Sequence, residues 1–443
     1  MQVTEEAYGE VGIRSMLIRE FPEKTIPLTR VRTTKVLRML LGIQGIFVTG
    51  VSLGEGSLVL DVRPTKRKPR CSECGRRRAT SGVGRERMWR HLDLGGIKTK
   101  LRYSIRQVKC PQCGVRVERV PWARPGSRFT LLFENQVAYL AQRCDTTTVA
   151  EQMRTTWRSV GRICMRVVES AGLLSPERLD GLTHIGIDEL SYRKHHQYIT
   201  VVTDHATGRV VWAGEGKSSE SVAAFFSELG PERAKKIEYV TLDLSAAFAK
   251  GVRENAPNAK LVFDRFHVQR LVHRALDEVR RSLVRQADSP EQRAPLKKTR
   301  WPLQKNPCNL TTTEKGTLQR LRKQNEPLIR AYDLKEGLRI ALEITVVPIA
   351  EHLLHEWINW AARSRLAPFV RAAKTIRKHL DGILEYIRTG LSNGPSEALN
   401  GKIRTITRRT FGLHSATSLI ALLYLCCSGL LLYPSHYWVD FAH

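Results

Sequence analysis

Apolar residues along THIGIDEL (183–190), QYITVVTDH (197–205) and RVVWAGEG (209–216) fall in short, β-branched runs broken by turn residues, a pattern that predicts three strands. His205-Ala-Thr-Gly-Arg209 reads as the hairpin turn between the second and third. The period then alternates: SSESVAAFFSEL (218–229) is helical, IEYVTLDLS (237–245) a fourth strand, SAAFAKGVREN (245–255) helical and KLVFD (260–264) a fifth strand. Three antiparallel strands followed by α-β-α-β-α is the order of a ribonuclease H-like mixed sheet. Residues 266–390 are helical in period apart from DSPEQRAPLKKTRWPLQKNP (288–307), which reads as a loop. They form an all-helical insertion ahead of one more helix, NGPSEALNGKIRTITRRT (393–410). In that last helix Asn393 can cap, Pro395 suits the first turn, and Leu399, Ile403 and Ile406 repeat on one face. Glu397, Asn400, Arg404 and Arg408 then line the opposite face.

Ahead of the sheet the pattern differs. TKVLRMLLGI (34–43) predicts a helix, and IFVTGVSLGEGSLVLDVRP (46–64) two strands around Gly-Glu-Gly. FTLLFENQVAYLAQR (129–143), TTTVAEQM (146–153) and TTWRSVGRICMRVVES (155–170) predict three helices, with Thr147 or Thr148 capping the short one and the last beginning near Thr156. Leu174 to His184 reads as a linker, and residues 1–30 give no clear pattern. The expected organisation is a multidomain α+β and α/β chain: 1–60 N-terminal helix and hairpin, 61–128 a zinc-binding module carrying the pairs Cys71-x-x-Cys74 and Cys110-x-x-Cys113, 129–173 helix-turn-helix, 184–265 with 391–443 the ribonuclease H-like domain, and 266–390 the helical insertion.

Composition sharpens this. The 443 residues carry 72 Lys and Arg against 43 Asp and Glu, a formal net charge of +29, which points to a polyanionic partner. Nucleic acid fits better than a membrane surface, because the charge is spread over several segments; residues 61–130 alone hold 20 Lys and Arg against 5 Asp and Glu. The start of the chain shows no basic stretch followed by an apolar one, so no secretory signal is expected. ATSLIALLYLCCSGLLLY (416–433) barely reaches spanning length and contains Thr417, Ser418, Ser428 and Gly429, which favours a buried core helix or strand pair over a membrane span.

Nine cysteines, an odd number with four in two CxxC pairs, argue for a reducing compartment and metal binding rather than a disulfide framework. Cys71, Cys74, Cys110 and Cys113 can supply the four thiolates of a closed structural Zn²⁺ site, and each pair is followed by a glycine suited to a tight knuckle. The competing reading is a redox pair, which the matched second pair disfavours. The 35 residues between the pairs must hold strands of their own, RERMWRHLDL and KTKLRYSIRQVK. In the helical segment that follows, Arg158, Arg162 and Arg166 would form a DNA-facing stripe while Val160, Ile163 and Val167 pack inward; the alternative is an ordinary three-helix unit.

Three carboxylates suggest the chemistry. Asp188 ends the apolar strand HIGID and Asp243 ends VTLD. In the sheet order above these strands are parallel neighbours, so both acids emerge at one edge. A third acid from a helix crossing that edge completes a site for two Mg²⁺ ions. Glu397 is the candidate, although an acid at a helix N-terminus also complements the helix dipole, worth a few tenths to about 1 kcal/mol. Glu189 should face away on its strand, and Asp204 reads as a turn residue.

The order CSECGR, CPQCGV, helix-turn-helix, GIDELSYRKHHQYITVVTDHATGRV, TLDLS, DRFHV and SNGPSEALNGKIR resembles the ISL-three family of bacterial insertion-sequence transposases, over roughly residues 40–430. The resemblance implies a DDE enzyme with catalytic and metal-binding Asp188, Asp243 and Glu397, Mg²⁺ or Mn²⁺ at that site, and an Asp-x-x-His element on Asp264 and His267 that is structural or helps place DNA. It further implies binding to the terminal inverted repeats of its element and to target double-stranded DNA; Arg404 and Arg408, one and two turns below Asn400 on the stripe of Glu397, would then hold the phosphate backbone. A homodimer or larger synaptic complex in the bacterial cytoplasm, at the nucleoid, follows from the same resemblance. A catalytically silent DNA-binding regulator derived from such an enzyme is the alternative. The first 30 residues and the basic loop at 295–307 receive no role.

Overall fold

The computed structural model describes residues 33–54, 56–193, 197–392, 394–409 and 415–434, with the backbone but not the side chains of 193 and 395–397. The chain divides at Phe133 and Glu134 into two compact units.

In the first unit α1 (Thr33–Leu41) precedes β1 (Ile46–Gly54), β2 (Ser57–Pro64), β3 (Thr80–Arg90), β4 (Lys98–Cys110) and β5 (Gly114–Val117). They form one sheet in the order β1-β2-β4-β3, with β5 paired to β4. The two strands expected between the cysteine pairs are β3 and β4, and the hairpin around Gly-Glu-Gly is β1-β2. Trp89 and Trp122 meet edge to face at 5.5 Å, packed with Ile46, Leu60 and Leu101 in the core of this unit. Glu118 is almost fully buried and is held by the Arg106 guanidinium and the Tyr103 hydroxyl, so its charge is matched where it is desolvated.

The second unit follows from α2 (Leu131–Ala141), whose first turn carries the division, through α3 (Thr146–Gln152) and α4 (Trp157–Ser170). Its sheet is built from β6 (His184–Arg193), β7 (Gln197–Asp204), β8 (Arg209–Glu215), β9 (Tyr239–Leu242) and β10 (Lys260–Phe263), in the order β10-β9-β6-β7-β8. The β6-β7-β8 meander is antiparallel, whereas β9 and β10 run parallel to β6. This is the mixed, ribonuclease H-like order that the alternation of periods predicts. Helices α5 (Ser219–Leu229), α6 (Pro231–Ala234) and α7 (Ala246–Asn255) connect the strands.

Between β10 and the last two helices lie α8 (Arg265–Gln286), α9 (Pro290–Lys298), α10 (Arg300–Gln304), α11 (Thr312–Gln324), α12 (Glu326–Ala341), α13 (Val347–Arg363), α14 (Ala367–Lys378) and α15 (Leu380–Thr389). They are not a detached lobe: one continuous core runs from Ile187 and Leu242 of the sheet through Val272 and Leu276 of α8 to Leu334, Phe369 and Ile383. Gly382 makes this possible on α15, because a Cβ there would lie 2.4 Å from the Phe263 ring and 2.9 Å from the Leu261 carbonyl. The last two helices are α16 (Gly394–Arg409) and α17 (Ala416–Cys427).

Two expectations change. The stretch 288–307 is largely helical, not a loop: Pro290 sits in the first turn of α9 behind the Ser289 cap, where no N–H is needed, while Pro295 lies inside the short helix and removes one of its backbone hydrogen bonds. Residues 174–184 are a packed turn rather than a linker, because Leu179 and Leu182 are buried in the core of the sheet. The apolar segment after residue 415 forms α17, twelve residues and about 18 Å long. Leu419, Leu423 and Leu425 on it are fully buried, and the Tyr424 hydroxyl accepts from the Ala213 N–H of β8 at 3.2 Å. Among the described residues no helix is long and apolar enough to cross a membrane.

Candidate active site and DNA-binding surfaces

The ladder of β6 and β9 pairs His184 with Tyr239 through Ile187 with Leu242. Carrying that parallel register one residue further sets position 188 beside position 243, so two carboxylates leave the sheet side by side. Both line an open cleft of about 360 Å³, together with residues of α7, α8 and α14. Burial first, and the neighbouring Asp243 carboxylate second, push the Asp188 carboxyl up to about 6. Two acids held this way repel each other and offer hard oxygen donors, which is the donor set a divalent cation requires.

Each acid is held from behind. The Glu189 backbone N–H donates to Asp188 Oδ1 at 2.7 Å, and Asn400 Nδ2 of α16 donates to Oδ2 at 2.5 Å. His267 Nε2 lies 2.6 Å from Asp243 Oδ1. Burial alone would depress the His267 imidazolium, but the hydrogen bond and charge of Asp243 outweigh it and the net direction is upward. His267 can stand there because Asp264 caps α8, accepting from the Phe266 N–H at 2.7 Å, with α8 following directly from the end of β10. The Asp-x-x-His element is therefore a capped helix start that aims a histidine at Asp243.

Leu399, Ile403 and Ile406 of α16 are buried, so the face predicted to pack does so. Position 397 lies three residues before Asn400, the spacing that puts two helical positions on one face. The Glu397 side chain, like Asn393, is outside the described residues. Arg404 and Arg408 are exposed further along the same helix. Glu189 is exposed and its atoms reach the rim of the cleft, whereas Asp204 forms the expected turn, accepting from the Ala206 and Thr207 N–H groups.

In the first unit the sulfur atoms of Cys71, Cys74, Cys110 and Cys113 all lie within 4.8 Å of one another, and Cys74 and Cys110 approach to 3.6 Å. Zinc–sulfur bonds of ~2.3 Å in a tetrahedron place sulfurs about 3.8 Å apart, so the four fit a zinc ion. Gly75 and Gly114, which end the two knuckles, have φ of 67° and 77°, conformations that side chains disfavour. Arg78 Nε donates to Cys110 Sγ at 3.3 Å and, ahead of any other influence, brings that thiol down to about 6. Burial and then the other three thiols push Cys113 up to about 12, so without a cation the cluster cannot hold four thiolates.

The helices α3 and α4 have the geometry of a helix-turn-helix. Thr156 caps α4 as expected, its hydroxyl accepting from the Ser159 N–H. The cap of α3 is Asp145, not Thr147 or Thr148: a carboxylate is the better acceptor, and it takes both the N–H and the hydroxyl of Thr148.

Comparison with known proteins assigns these parts together. A family model described as "Transposase" matches residues 185–423, more than half of the chain. The helix-turn-helix domain of transposase family ISL3 matches residues 118–168, and the zinc finger of the transposases of IS204, IS1001, IS1096 and IS1165 matches residues 67–113. The chain belongs to the ISL3 family of transposases. It is 37% identical to the transposase for insertion sequence element IS1557 of Mycobacterium tuberculosis, over 90% of this chain and 96% of that one. It is also 29% identical to the transposase for IS1001 of Bordetella parapertussis, over 85% of this chain and 94% of that one.

On the helix-turn-helix of this transposase, Arg158 and Arg162 are exposed on α4, while Val160, Ile163 and Val167 are buried. Arg166 departs from the expected stripe. Its guanidinium turns back to Glu134, 2.7 Å away and fully buried, because an acid inside the helical unit needs a cation more than the surface does. The sequence reading also missed Arg270 and Arg274, which line the carboxylate cleft from α8. The only signal for them is their spacing of three and seven residues from His267, which places all three on one helical face.

Proposed function

We propose that this transposase uses Asp188, Asp243 and Glu397 to hold two divalent cations, Mg²⁺ or Mn²⁺, and so cuts the terminal inverted repeats of its element and joins them to target DNA. The side-by-side emergence of Asp188 and Asp243 at one cleft, with Asn400 of α16 bonded to Asp188, carries the reading, since it brings the helix of Glu397 to the two strand acids. Cations bound there would activate the attacking oxygen and stabilise the leaving 3′ oxygen of the phosphodiester. Around them the protein's own groups orient the ligands: Asn400 and the Glu189 N–H fix Asp188, and His267 fixes Asp243. Hydrolysis and strand transfer both proceed by displacement at phosphorus, so no Ser or Tyr nucleophile is required.

End binding falls to the zinc ribbon and the helix-turn-helix, with Arg158 and Arg162 on α4 and Arg404 and Arg408 on α16 as the candidate contacts. The same division suggests functional domains close to 61–128, 129–173, and 184–265 with 391–443, the helices of 266–390 being inserted between the catalytic acids. Two ends must be cut together, which calls for a dimer or a larger synaptic assembly. The test is cleavage and strand transfer on DNA carrying the element's ends, in Mg²⁺ or Mn²⁺, for the native protein beside Asp188→Asn and Glu397→Gln. Loss of both activities in both variants supports the reading, and equal activity overturns it.

A further inference from the structure

Helix α8 carries six arginines, and their partners differ along its length. Arg265 pairs with Glu343, and Arg280 and Arg281 pair with Asp277, so these serve the fold. Arg270 and Arg274 are exposed, both line the cleft of Asp188 and Asp243, and among the described residues neither forms an ion pair. Two guanidinium groups beside two carboxylates, yet paired with neither, leave their donors open to an anion that enters the cleft. They follow His267 by three and seven residues, so the helical face that positions Asp243 continues as a cationic track. Arg270 and Arg274 are about 6 Å apart along the helix axis, close to the rise over two nucleotides of B-form DNA.

We infer that Arg270 and Arg274 are the phosphate clamp of the cleft, gripping the sugar-phosphate backbone of the DNA strand that runs past Asp188 and Asp243. This rests on the catalytic reading above and adds to it a binding site on α8 for the DNA at the cleavage junction, separate from the surfaces that read the ends. Guanidinium forks suit phosphate oxygens, carry no base information, and so position the strand without specifying its sequence. The track also explains why the inserted helices share a core with the sheet: a clamp that moved independently of the carboxylates could not register a phosphate against them.

The experiment measures binding of the full-length, zinc-loaded protein without added Mg²⁺ or Mn²⁺, so that nothing is cut. One duplex carries the element's end and stops at the cleavage junction, and a second continues about two helical turns past it. The double variant Arg270→Ala/Arg274→Ala is expected to bind the short duplex as the native protein does. On the long duplex it should bind roughly tenfold or more weakly, with the salt slope reduced by about 1.8, near 0.9 for each lost phosphate contact. Arg270→Lys/Arg274→Lys should recover most of that slope. Equal losses on both duplexes, or no loss on the long one, would overturn the clamp. A failure of the catalytic reading shows itself elsewhere, as cleavage by Asp188→Asn in Mg²⁺, and does not touch these binding curves.

Discussion

Asn400 of α16 donates to Oδ2 of Asp188 on β6, joining two residues 212 positions apart at the point where the sheet opens into its cleft. The bond does two things at once. It docks α16 on the sheet edge, and it fixes one Asp188 oxygen while the Glu189 N–H fixes the other. An amide suits that place, because it donates without adding charge to the site proposed to hold the cations.

Replacing Asn400 by Ala is therefore expected to lower cleavage about 10- to 100-fold, mostly through weaker cation binding, so that added Mg²⁺ recovers part of the loss. Asn400→Asp should be worse, since it sets a third negative charge against Asp188. A Mg²⁺ titration of the cleavage rate checks this: an unchanged half-saturation point for Asn400→Ala would remove the positioning role.

The carboxyl of Asp188 is raised from its ordinary 3.8 to about 6, by burial and then by Asp243, and this has a consequence for stability. In the cation-free protein the native state holds the proton more tightly than the unfolded chain does. The contribution of this one carboxyl to stability is thus most favourable below pH ~4, falls as pH rises towards 6, and stays reduced above it. Asp188→Asn removes the penalty, so at pH 7 this variant should be more stable than the native protein, by about 1–3 kcal/mol, and should melt at a higher temperature. The two should converge near pH 4. Melting curves in a divalent-free buffer between pH 4 and 8 decide it, and equal curves at pH 7 would refute it.

His267 shifts stability with pH in the same direction, but through a favourable pair with Asp243 rather than a penalty. Its folded value is raised above 6.5 by Asp243, so the pair stabilises the cation-free protein fully below about pH 6.5 and less as pH climbs through the folded value. His267→Gln should narrow the difference in melting temperature between pH 6 and pH 8. It should also cut activity about 10- to 100-fold by freeing Asp243. A pH dependence identical to the native protein's would argue that the 2.6 Å contact contributes nothing in solution.

Much of this site could be read before folding, because it depends on periods. The strand order follows from where apolar runs shorten, and the neighbouring exits of Asp188 and Asp243 follow from that order. What could not be read depends on partners distant in the chain. Arg166 looks like a surface residue until Glu134, 32 positions earlier, is seen buried against it. Arg270 and Arg274 look like any solvated helix face until α8 is set along the cleft. The prolines of 288–307 suggested a loop because a proline count carries no information on which turn of a helix each occupies; Pro290 falls where the helix leaves N–H groups unused.

The zinc ribbon gives a prediction on stability alone. Four thiols that cannot all ionise without a cation should tie the folding of the first unit to zinc. Cys110→Ser, or removal of zinc by a chelator, is expected to unfold that unit. The core of the second unit, which contains none of the four cysteines, should still melt cooperatively. Zinc content by mass spectrometry, read beside a two-step thermal unfolding curve, checks the coupling. A full-length chelated protein that keeps both transitions would show the metal to be dispensable for the fold.

Arg166 and Arg158 stand two turns apart on α4, and the structure separates their roles. Arg166→Ala takes the cation from a fully buried carboxylate, so it should destabilise the second unit by about 3 kcal/mol. At temperatures where the variant stays folded it should leave DNA binding nearly intact. Arg158→Ala removes an exposed charge and should leave the melting temperature within about a degree, since surface substitutions change stability by less than about 0.5 kcal/mol. It should nevertheless weaken binding to the element's end and lower the salt slope by about 0.9. If instead Arg166→Ala lowered the salt slope while the melting temperature held, the guanidinium would have to leave Glu134 for DNA on binding, and the stripe of three arginines read from the sequence would be restored.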